Sequence, residues 1–239
     1  MKYRTIRKDY QNHQWSKAVF IDPYATLLSP FVTNVCLKLR LIPNEVTLCM
    51  ICSGIFGAAF FALPYLWAKI VGTILIHLWY VFDCSDGEVA RITKRFSRFG
   101  TEIDYAAHVI NHPLFLFAFL LTLLQSRTGF QPLLLSFLFF GLVALNLIYR
   151  NVTMFRKDYD RRHQTAEGSG KSEKTFRMNR WVVYFSNIFV QLPNFCLIFP
   201  FVWFISAKAA VWYVVVVLCF SAVFVPASLL GWMRRIVWE

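Results

Sequence analysis

The sequence predicts an all-α polytopic membrane protein with six transmembrane helices and an N-terminal amphipathic helix that lies in the membrane interface. Three observations support this fold class. Of the 239 residues, 57% are hydrophobic and 25 are Phe, whereas soluble domains are roughly 45–50% apolar. The mean hydropathy is +0.49, and the apolar residues occur in runs close to the ~20 residues that cross a bilayer. The basic residues are concentrated in alternate connecting segments.

The first part of the chain, residues 1–45, is predicted to be a cytoplasmic arm followed by the interfacial helix. The first twenty residues are polar and basic and contain no apolar run, so no signal peptide is expected. This arm is either a solvated tail or, as we slightly favour, in contact with anionic lipid headgroups. Over residues 24–39 the apolar residues recur at intervals of three and four, interrupted by Pro30. That period predicts a helix with one apolar face in the interface.

The second part, residues 46–239, is predicted to be a six-helix transmembrane domain with a cytoplasmic loop at about 150–180. The length of each apolar run sets the predicted spans, which are 46–66, 70–83, 103–125, 131–149, 181–205 and 209–232. The second span is short because it stops at a polar stretch, where a buried helix need not reach the far lipid.

The basic residues predict the orientation of these spans. Twenty-two of the 25 Lys and Arg residues fall on one predicted side, and only Lys69, Arg127 and Lys208 fall on the other. Such a bias places the basic side in the cytoplasm, so both termini are expected there. The net charge of +12 is then mostly a consequence of topology. Nucleic-acid binding is excluded as an interpretation, because no soluble basic domain exists to carry it.

The polar stretch at residues 83–108 reads DCSDGEVARITKRFSRFGTEIDYAAH. Carboxylates at the edge of a membrane span are costly and need an explanation. If Asp83 and Asp86 lie on the last turn of one helix, and Asp104 and His108 on the first turns of the next, each pair shares a helix face. Adjacent helices would bring all four side chains to one point. Three carboxylates there would repel one another unless they held a hard cation such as Mg²⁺ or Mn²⁺, so a divalent metal site is predicted.

This stretch also resembles the signature of the CDP-alcohol phosphotransferase family, D-x2-D-G-x2-A-R-x8-G-x3-D-x3-D. Seven of the eight fixed positions match in register, namely Asp83, Asp86, Gly87, Ala90, Arg91, Gly100 and Asp104. The eighth is His108, where the family carries its last Asp. In the family that carboxylate is assigned as the general base and can also touch a metal. The replacement therefore leaves open the base and the number of metals, but not the fold.

The resemblance implies a metal-dependent transferase of phospholipid or related lipid synthesis. It would move a phosphoalcohol or phosphatidyl group from a CDP-linked donor to an acceptor hydroxyl and release CMP, using Mg²⁺ or Mn²⁺. The implied metal ligands are Asp83, Asp86, Asp104 and His108. His108 and Asp104 are the expected catalytic pair, because a neutral imidazole can accept a proton at cytoplasmic pH while Asp104, if it is not wholly engaged by metal, holds its other nitrogen.

Further residues are expected to serve the donor and acceptor. Gly87 and Ala90 leave room for a phosphate, and the guanidinium of Arg91 is a fork that suits one. The residues Asn44 and Thr47 resemble the family's P-N-x2-T near the nucleotide, although Asn44 could instead cap its helix. His112, one turn beyond His108, could be a relay or an acceptor-site residue.

Two other expectations concern packing and charge. A face of small residues, made by Ser53, Gly54, Gly57 and Ala58, suits close helix packing within the bundle or between subunits, and the family resemblance makes a homodimer the expected assembly. Glu88 and Glu102 are expected to face solvent, although either could substitute as an extra metal ligand.

The identity of the substrates is left open. CDP-diacylglycerol with a polar alcohol is the first choice, followed by a CDP-activated alcohol with a lipid acceptor. Two other classes of protein are possible. The chain could be an inactive relative that binds CDP-lipids, with His108 marking the loss of catalysis. It could also be a six-span transporter, which would need polar sites in both halves.

Overall fold

The computed structural model describes residues 3–11, 22–166 and 191–238. Every regular element within these ranges is helical. A short α-helical turn, Tyr3–Thr5, leads into a π-helical turn, Ile6–Tyr10. Seven helices follow: α1 (Asp22–Lys38), α2 (Pro43–Ala62), α3 (Leu66–Thr93), α4 (Gly100–Gln125), α5 (Pro132–Ala166), α6 (Leu192–Ile205) and α7 (Ala207–Trp238).

Five of these helices are long and apolar enough to cross a membrane. They are α2, α3, α4, the first 25 residues of α5, and α7 through Met233. Helix α6 is apolar but shorter, with 14 residues. It forms the second half of the predicted span 181–205, whose first ten residues lie outside the described ranges. The all-α polytopic prediction is confirmed, and the chain is an integral membrane protein.

Helix α1 forms where the three–four periodicity predicts it, and it continues through Pro30. Its apolar side chains Leu28, Phe31 and Val35 are exposed, whereas Ser29 and Thr33 on the opposite side are fully buried. The helix therefore presents an apolar face outward and hydroxyl groups to the rest of the protein. Its position in a membrane interface stays a prediction.

The start of α2 is fixed by Pro43 in the first turn and by Glu45, whose carboxylate accepts a hydrogen bond from the Ile42 backbone N–H at 2.9 Å. Proline suits this position because its missing N–H has no intrahelical partner there. Asn44 lies inside the helix and is not the N-cap. The alternative in which Asn44 caps α2 is therefore wrong.

Helix α3 extends ten residues beyond the predicted end at Asp83, and ends where Lys94 adopts a left-handed conformation with φ of 54°. Residues 84–93 contain Glu, Arg and Val, and include no proline to stop the helix. Asp83, Asp86 and Gly87 consequently lie within one continuous helix, six to ten residues before its last residue, Thr93, and not on its last turn as expected. Because α4 starts at Gly100, the connecting segment is only residues 94–99, and it is exposed.

Helix α5 also outlasts its predicted span. It continues past Tyr149 to Ala166, so residues 150–166 are helical where a loop was expected. Arg, Lys and Gln have good helix propensity, and the loss of hydrophobicity ends the membrane segment without ending the helix. The remainder of the predicted loop, residues 167–180, lies outside the described ranges.

Helix α2 packs closely against both α3 and α4 through small residues. A Cβ placed on Gly72 of α3 would lie 2.5 Å from the Phe61 backbone nitrogen and 2.8 Å from the Gly57 oxygen. A Cβ placed on Gly54 would lie 2.5 Å from the Asn111 side chain of α4. The small-residue face of α2 thus packs within the bundle, as one of its two predicted uses required.

A buried lysine, Lys69, connects several helices at the end of the bundle opposite the polar stretch. Lys69 was expected in a connecting segment, but its side chain is only 3% exposed. Its ammonium donates to the Phe61 carbonyl and to Thr122 Oγ1, each at 2.9 Å, and lies 5.1 Å from the centre of the Trp203 ring. These contacts join α2, α3, α4 and α6 at one point.

Candidate active site

Three of the predicted ligands meet where α3 and α4 face each other. His108 Nε2 on α4 lies 3.2 Å from Asp83 Oδ1 on α3 and 3.5 Å from Asp104 Oδ1, one turn earlier on α4. One potential ligand atom from each residue falls within 4.8 Å of the others. The i, i+4 spacing of Asp104 and His108 places both on one helix face. Helices α3 and α4 both pack against α2, and this arrangement brings Asp83 of α3 to the same point.

The burial of these groups changes across the site. The side chain of Asp104 is 47% exposed, that of Asp83 22% and that of His108 9%. Beneath them Trp79 is fully buried, with its ring centre 5.6 Å from the ring of His108 and in edge-on orientation. The cluster is therefore open on the Asp104 side and floored by an aromatic ring.

Asp86 lies one turn beyond Asp83 but faces helix α2. Its Oδ2 accepts a hydrogen bond of 2.8 Å from Thr47 Oγ1. Among the described residues, the three-residue ligand group does not include Asp86. The structure thus places Asp86, the fourth predicted ligand, beside the group of Asp83, Asp104 and His108. Asp86 is oriented by the hydroxyl of Thr47, a residue that was expected near the nucleotide.

Asn44 is near the site but contacts a different element. Its Nδ2 donates to Ser97 Oγ at 3.4 Å, which links the start of α2 to the segment 94–99. Asn44 and Thr47 therefore both lie on the side of the site where α2 begins, as the resemblance implied, although only Thr47 touches a motif aspartate.

The second nitrogen of His108 points away from the carboxylates. Nδ1 lies 3.2 Å from Nε2 of His112, and Nδ1 of His112 lies 3.4 Å from Nη1 of Arg150 on α5. The expectation that Asp104 would hold the other nitrogen of His108 is wrong, since both carboxylates face Nε2. Sequence reasoning had treated Arg150 only as a topology signal, because nothing local connects it to a histidine 38 residues earlier.

The partners of His108 assign a proton to its Nε2. This nitrogen lies 3.2 Å from Asp83 Oδ1 and 3.5 Å from Asp104 Oδ1, and a carboxylate only accepts hydrogen bonds. His108 is therefore a donor to Asp83 and Asp104 in this arrangement, and it can bind a metal or accept a proton at Nε2 only after releasing that proton.

Arg91 and Gly87 lie together, as their spacing predicted. A Cβ placed on Gly87 would be 3.1 Å from Nη1 and 3.4 Å from Nη2 of Arg91, so the guanidinium edge lies directly over the glycine. Ala90, on the same stretch, is partly buried. The Nε group of Arg91 donates to the backbone carbonyl of Tyr10, a contact that no sequence pattern indicated. Gly100, in contrast, has ordinary space around it, with the nearest atom at 3.6 Å.

Glu88 does not face solvent as expected. It is 1% exposed and accepts hydrogen bonds from three side chains of α1 and the N-terminal segment. Glu102 is exposed, as predicted.

The fold and the site together define a class of protein, namely a polytopic membrane protein that carries a carboxylate–histidine cluster between two of its membrane helices. A family model described as CDP-alcohol phosphatidyltransferase matches residues 40–191, more than half of the chain, and the match contains α2 to α5 and the whole cluster. The chain belongs to the CDP-alcohol phosphatidyltransferase family. A comparison with curated proteins found no match.

Membership in this family has direct consequences. It implies a transferase of phosphate-containing groups that takes a CDP-alcohol donor and an alcohol acceptor in a membrane. The family generally depends on a divalent metal. The possible metal ligands Asp83, Asp104 and His108 fit such an ion. Carboxylate oxygens suit Mg²⁺ and Mn²⁺, and an imidazole nitrogen is tolerated by Mn²⁺.

Proposed function

We propose that this protein transfers a phosphatidyl or phosphoalcohol group from a CDP-linked donor to an acceptor hydroxyl, with release of CMP, in phospholipid or related lipid synthesis. The observation that carries the proposal is the convergence of Asp83, Asp104 and His108 within 4.8 Å, inside the segment that matches the family. Placing such a cluster of ionisable groups between membrane helices costs free energy, and clusters of this kind generally mark functional sites.

A divalent metal is part of this proposal. Asp83, Asp104 and His108 would hold it, with Asp86 next to them and oriented by Thr47. Bound Mg²⁺ or Mn²⁺ would neutralise charge on the donor's pyrophosphate and on the departing CMP. Because His108 carries a proton on Nε2 in the arrangement described above, its use as a ligand requires loss of that proton, as metal binding to histidine generally does.

His108 has a second possible role, as the base for the acceptor hydroxyl. The proton of the hydroxyl would pass to Nε2, its oxygen would bond to the β-phosphorus, and the bond from that phosphorus to the oxygen of CMP would break. Asp104, half-exposed beside Nε2, would hold the imidazole in place. Both roles use the same nitrogen, so one His108 side chain cannot perform them at once. We therefore keep base and ligand as alternatives.

The donor's phosphates are proposed to lie beside Gly87, against the guanidinium of Arg91, which itself occupies the space directly over this glycine. A planar guanidinium binds phosphate oxygens well. Ala90 keeps the same helix face low. Asn44 and Thr47 at the start of α2 would border the nucleotide, since they contact the segment 94–99 and Asp86 respectively.

The substrates and orientation follow from the sequence argument and stay proposals. We favour CDP-diacylglycerol with a polar alcohol, and next a CDP-activated alcohol with a lipid acceptor. The bias of basic residues supports a cytoplasmic location of the site and of both termini. Assembly as a homodimer stays a prediction from the family.

Two other functions are weaker alternatives. An inactive CDP-lipid-binding relative would not need the three motif aspartates, all of which are present. A transporter would need a second polar site in the other half of the bundle. Within residues 3–11, 22–166 and 191–238, one cluster of possible metal ligands was found.

The test is release of CMP by purified protein in detergent, supplied with CDP-diacylglycerol, Mg²⁺ or Mn²⁺, and a mixture of polyols, sugar phosphates and amino alcohols. CMP that requires both a metal and a particular acceptor, and that is lost in Asp86→Ala and His108→Ala, would support the proposal and identify the acceptor. Retained activity in His108→Ala alone would remove the base role.

Two further outcomes separate the alternatives. No reaction with CDP-diacylglycerol, but reaction with a CDP-alcohol, would show that the lipid substrate is the acceptor and not the donor. Binding of CDP donors without any CMP release would favour the inactive relative. With Mn²⁺ bound, electron spin-echo spectra of the wild type and His108→Gln would show whether a ¹⁴N nucleus ligates the metal, and so decide between ligand and base.

A further inference from the structure

Glu88 is a buried carboxylate beside the donor site that the proposed mechanism does not use. It lies on α3 next to Gly87 and one turn before Arg91, and only 1% of its surface is exposed. A carboxylate is not retained at such a depth unless its oxygens are hydrogen-bonded. Its partners therefore indicate what holds it there.

Three uncharged donors bind the two oxygens of Glu88. Ser29 Oγ donates to Oε1 at 2.5 Å, and Thr33 Oγ1 donates to Oε2 at 2.6 Å, both from α1. Gln11 Nε2 donates to Oε1 at 3.0 Å and also to the Thr26 carbonyl at 2.5 Å. Glu88 therefore fastens α1 and the N-terminal segment to α3 at the same place.

The N-terminal segment continues from Glu88 to Arg91. We call residues 3–11 the strap. Its residue Tyr10 accepts the hydrogen bond from Arg91 Nε through its backbone carbonyl, directly before Gln11 contacts Glu88. Ile6 of the strap is fully buried, and the Tyr3 hydroxyl donates to the Leu27 carbonyl at 3.0 Å. The strap is thus fixed along its whole length, with its end on the donor side of α3.

The contact with Tyr10 restricts the guanidinium of Arg91. Once Nε is bonded to the strap, the plane of the guanidinium is set, and the opposite edge, with Nη1 and Nη2, lies over Gly87. An arginine side chain has many rotamers, so fixing it in advance reduces the entropy lost when a phosphate binds.

We propose that Glu88 is a positioning residue, which holds the strap so that Tyr10 aims Arg91 at the donor's pyrophosphate. This inference rests on the proposed function, because it assumes that the ligand of Arg91 beside Gly87 is a CDP-linked donor. It adds that the strap is part of the donor site. The competing interpretation is that Glu88 only attaches α1 to α3 and contributes to stability.

The first measurement is amide hydrogen exchange of the strap in the full chain, reconstituted in nanodiscs. Glu88→Gln removes the charge at constant size, and Gln11→Ala removes the strap's own anchor without altering α3. Glu102→Gln is the matched control, since that carboxylate is exposed on α4. We expect faster exchange in peptides covering residues 3–11 in the first two variants and unchanged exchange in the control.

The second measurement is steady-state CMP release by the same proteins. We expect the KM for the CDP donor to rise about tenfold in Glu88→Gln and Gln11→Ala, the effect of one lost hydrogen bond to a charged group. The kcat and the acceptor KM should stay within about twofold, since the contacts of the strap described above are with α1, Glu88 and Arg91. Gln11→Ala keeps the test usable if Glu88→Gln fails to fold.

Each outcome decides a separate point. Unchanged exchange in both variants would show that Glu88 does not hold the strap. Faster exchange with an unchanged donor KM would overturn the positioning role. A fall in kcat and in kcat/KM for both substrates that is explained entirely by a lower melting temperature would also overturn it. If the wild type releases no CMP from any CDP donor, the proposed function fails and the aiming of Arg91 fails with it, while exchange still decides the docking of the strap.

Discussion

Replacement of Gly72 by Ala tests how closely α2 and α3 must approach. A Cβ at this position would lie 2.5 Å from the Phe61 nitrogen, 2.8 Å from the Phe61 Cα and 2.8 Å from the Gly57 oxygen, and ordinary contacts begin at 3.4 Å. The closest of these distances is 0.9 Å too short (3.4 minus 2.5). All three atoms belong to the backbone of α2, so no side-chain rotation can relieve the overlap.

The expected cost follows from this overlap. Overpacking of a well-packed core costs about 1–3 kcal/mol, and a backbone obstacle places Gly72→Ala near the upper end. The better helix propensity of Ala returns at most ~1 kcal/mol. The net destabilisation is therefore about 2 kcal/mol, which corresponds to a melting temperature lower by roughly 4–8 °C for a chain of this size.

The assay is thermal unfolding in one detergent, followed by circular dichroism, with Gly231→Ala as the control. Gly231 also lies within a helix, α7, but no described atom lies within 4 Å of a Cβ placed there. The melting temperature of Gly231→Ala should be equal to that of the wild type or slightly higher. A Gly72→Ala protein that melts within a degree of the wild type would refute the close-approach argument. Gly72 is 14 residues from Asp86, about 21 Å along α3, so the donor KM of folded protein should not change.

Three further predictions concern the site and its supports. Thr47→Val should reduce kcat/KM for the donor about tenfold, through loss of the hydrogen bond to Asp86, while Thr47→Ser should retain activity; equal rates for the two variants would show that the hydroxyl is not needed. Chelation with EDTA should abolish CMP release and Mn²⁺ should restore it, so activity that survives exhaustive chelation would contradict the metal proposal. Lys69→Met should destabilise the fold by about 1–2 kcal/mol, because two hydrogen bonds from the ammonium are lost while Thr122 Oγ1 still donates to the Phe61 carbonyl; the same melting temperature as wild type would contradict this.

The helices and the central pair of the site could be predicted from local patterns. The length of an apolar run decides whether a helix can cross a bilayer, and a fixed helical pitch places Asp104 beside His108. For the same reason Arg91 covers Gly87. These features depend on neighbours within one turn or one span, so a single sequence contains the information.

The ends of α3 and α5 were predicted less well. Hydropathy marks where a membrane segment stops, whereas a helix stops at a residue that breaks or caps it. Between Asp83 and Thr93, and between Arg150 and Ala166, no proline occurs, and the one glycine, Gly87, does not end α3. Both helices therefore continue beyond their apolar parts, which moves the motif from a helix end to a helix interior.

By itself, the sequence determined that this is a helical membrane protein, and it located the acidic motif that identifies the family. Only the tertiary structure decided which groups meet across long separations: Thr47 with Asp86, His112 with Arg150, and Glu88 with Gln11. The physical reason is that hydropathy and helical pitch act along one segment, whereas the partner of a buried polar group is chosen by the packing of different segments. An unpaired carboxylate or histidine costs too much in that interior to remain alone.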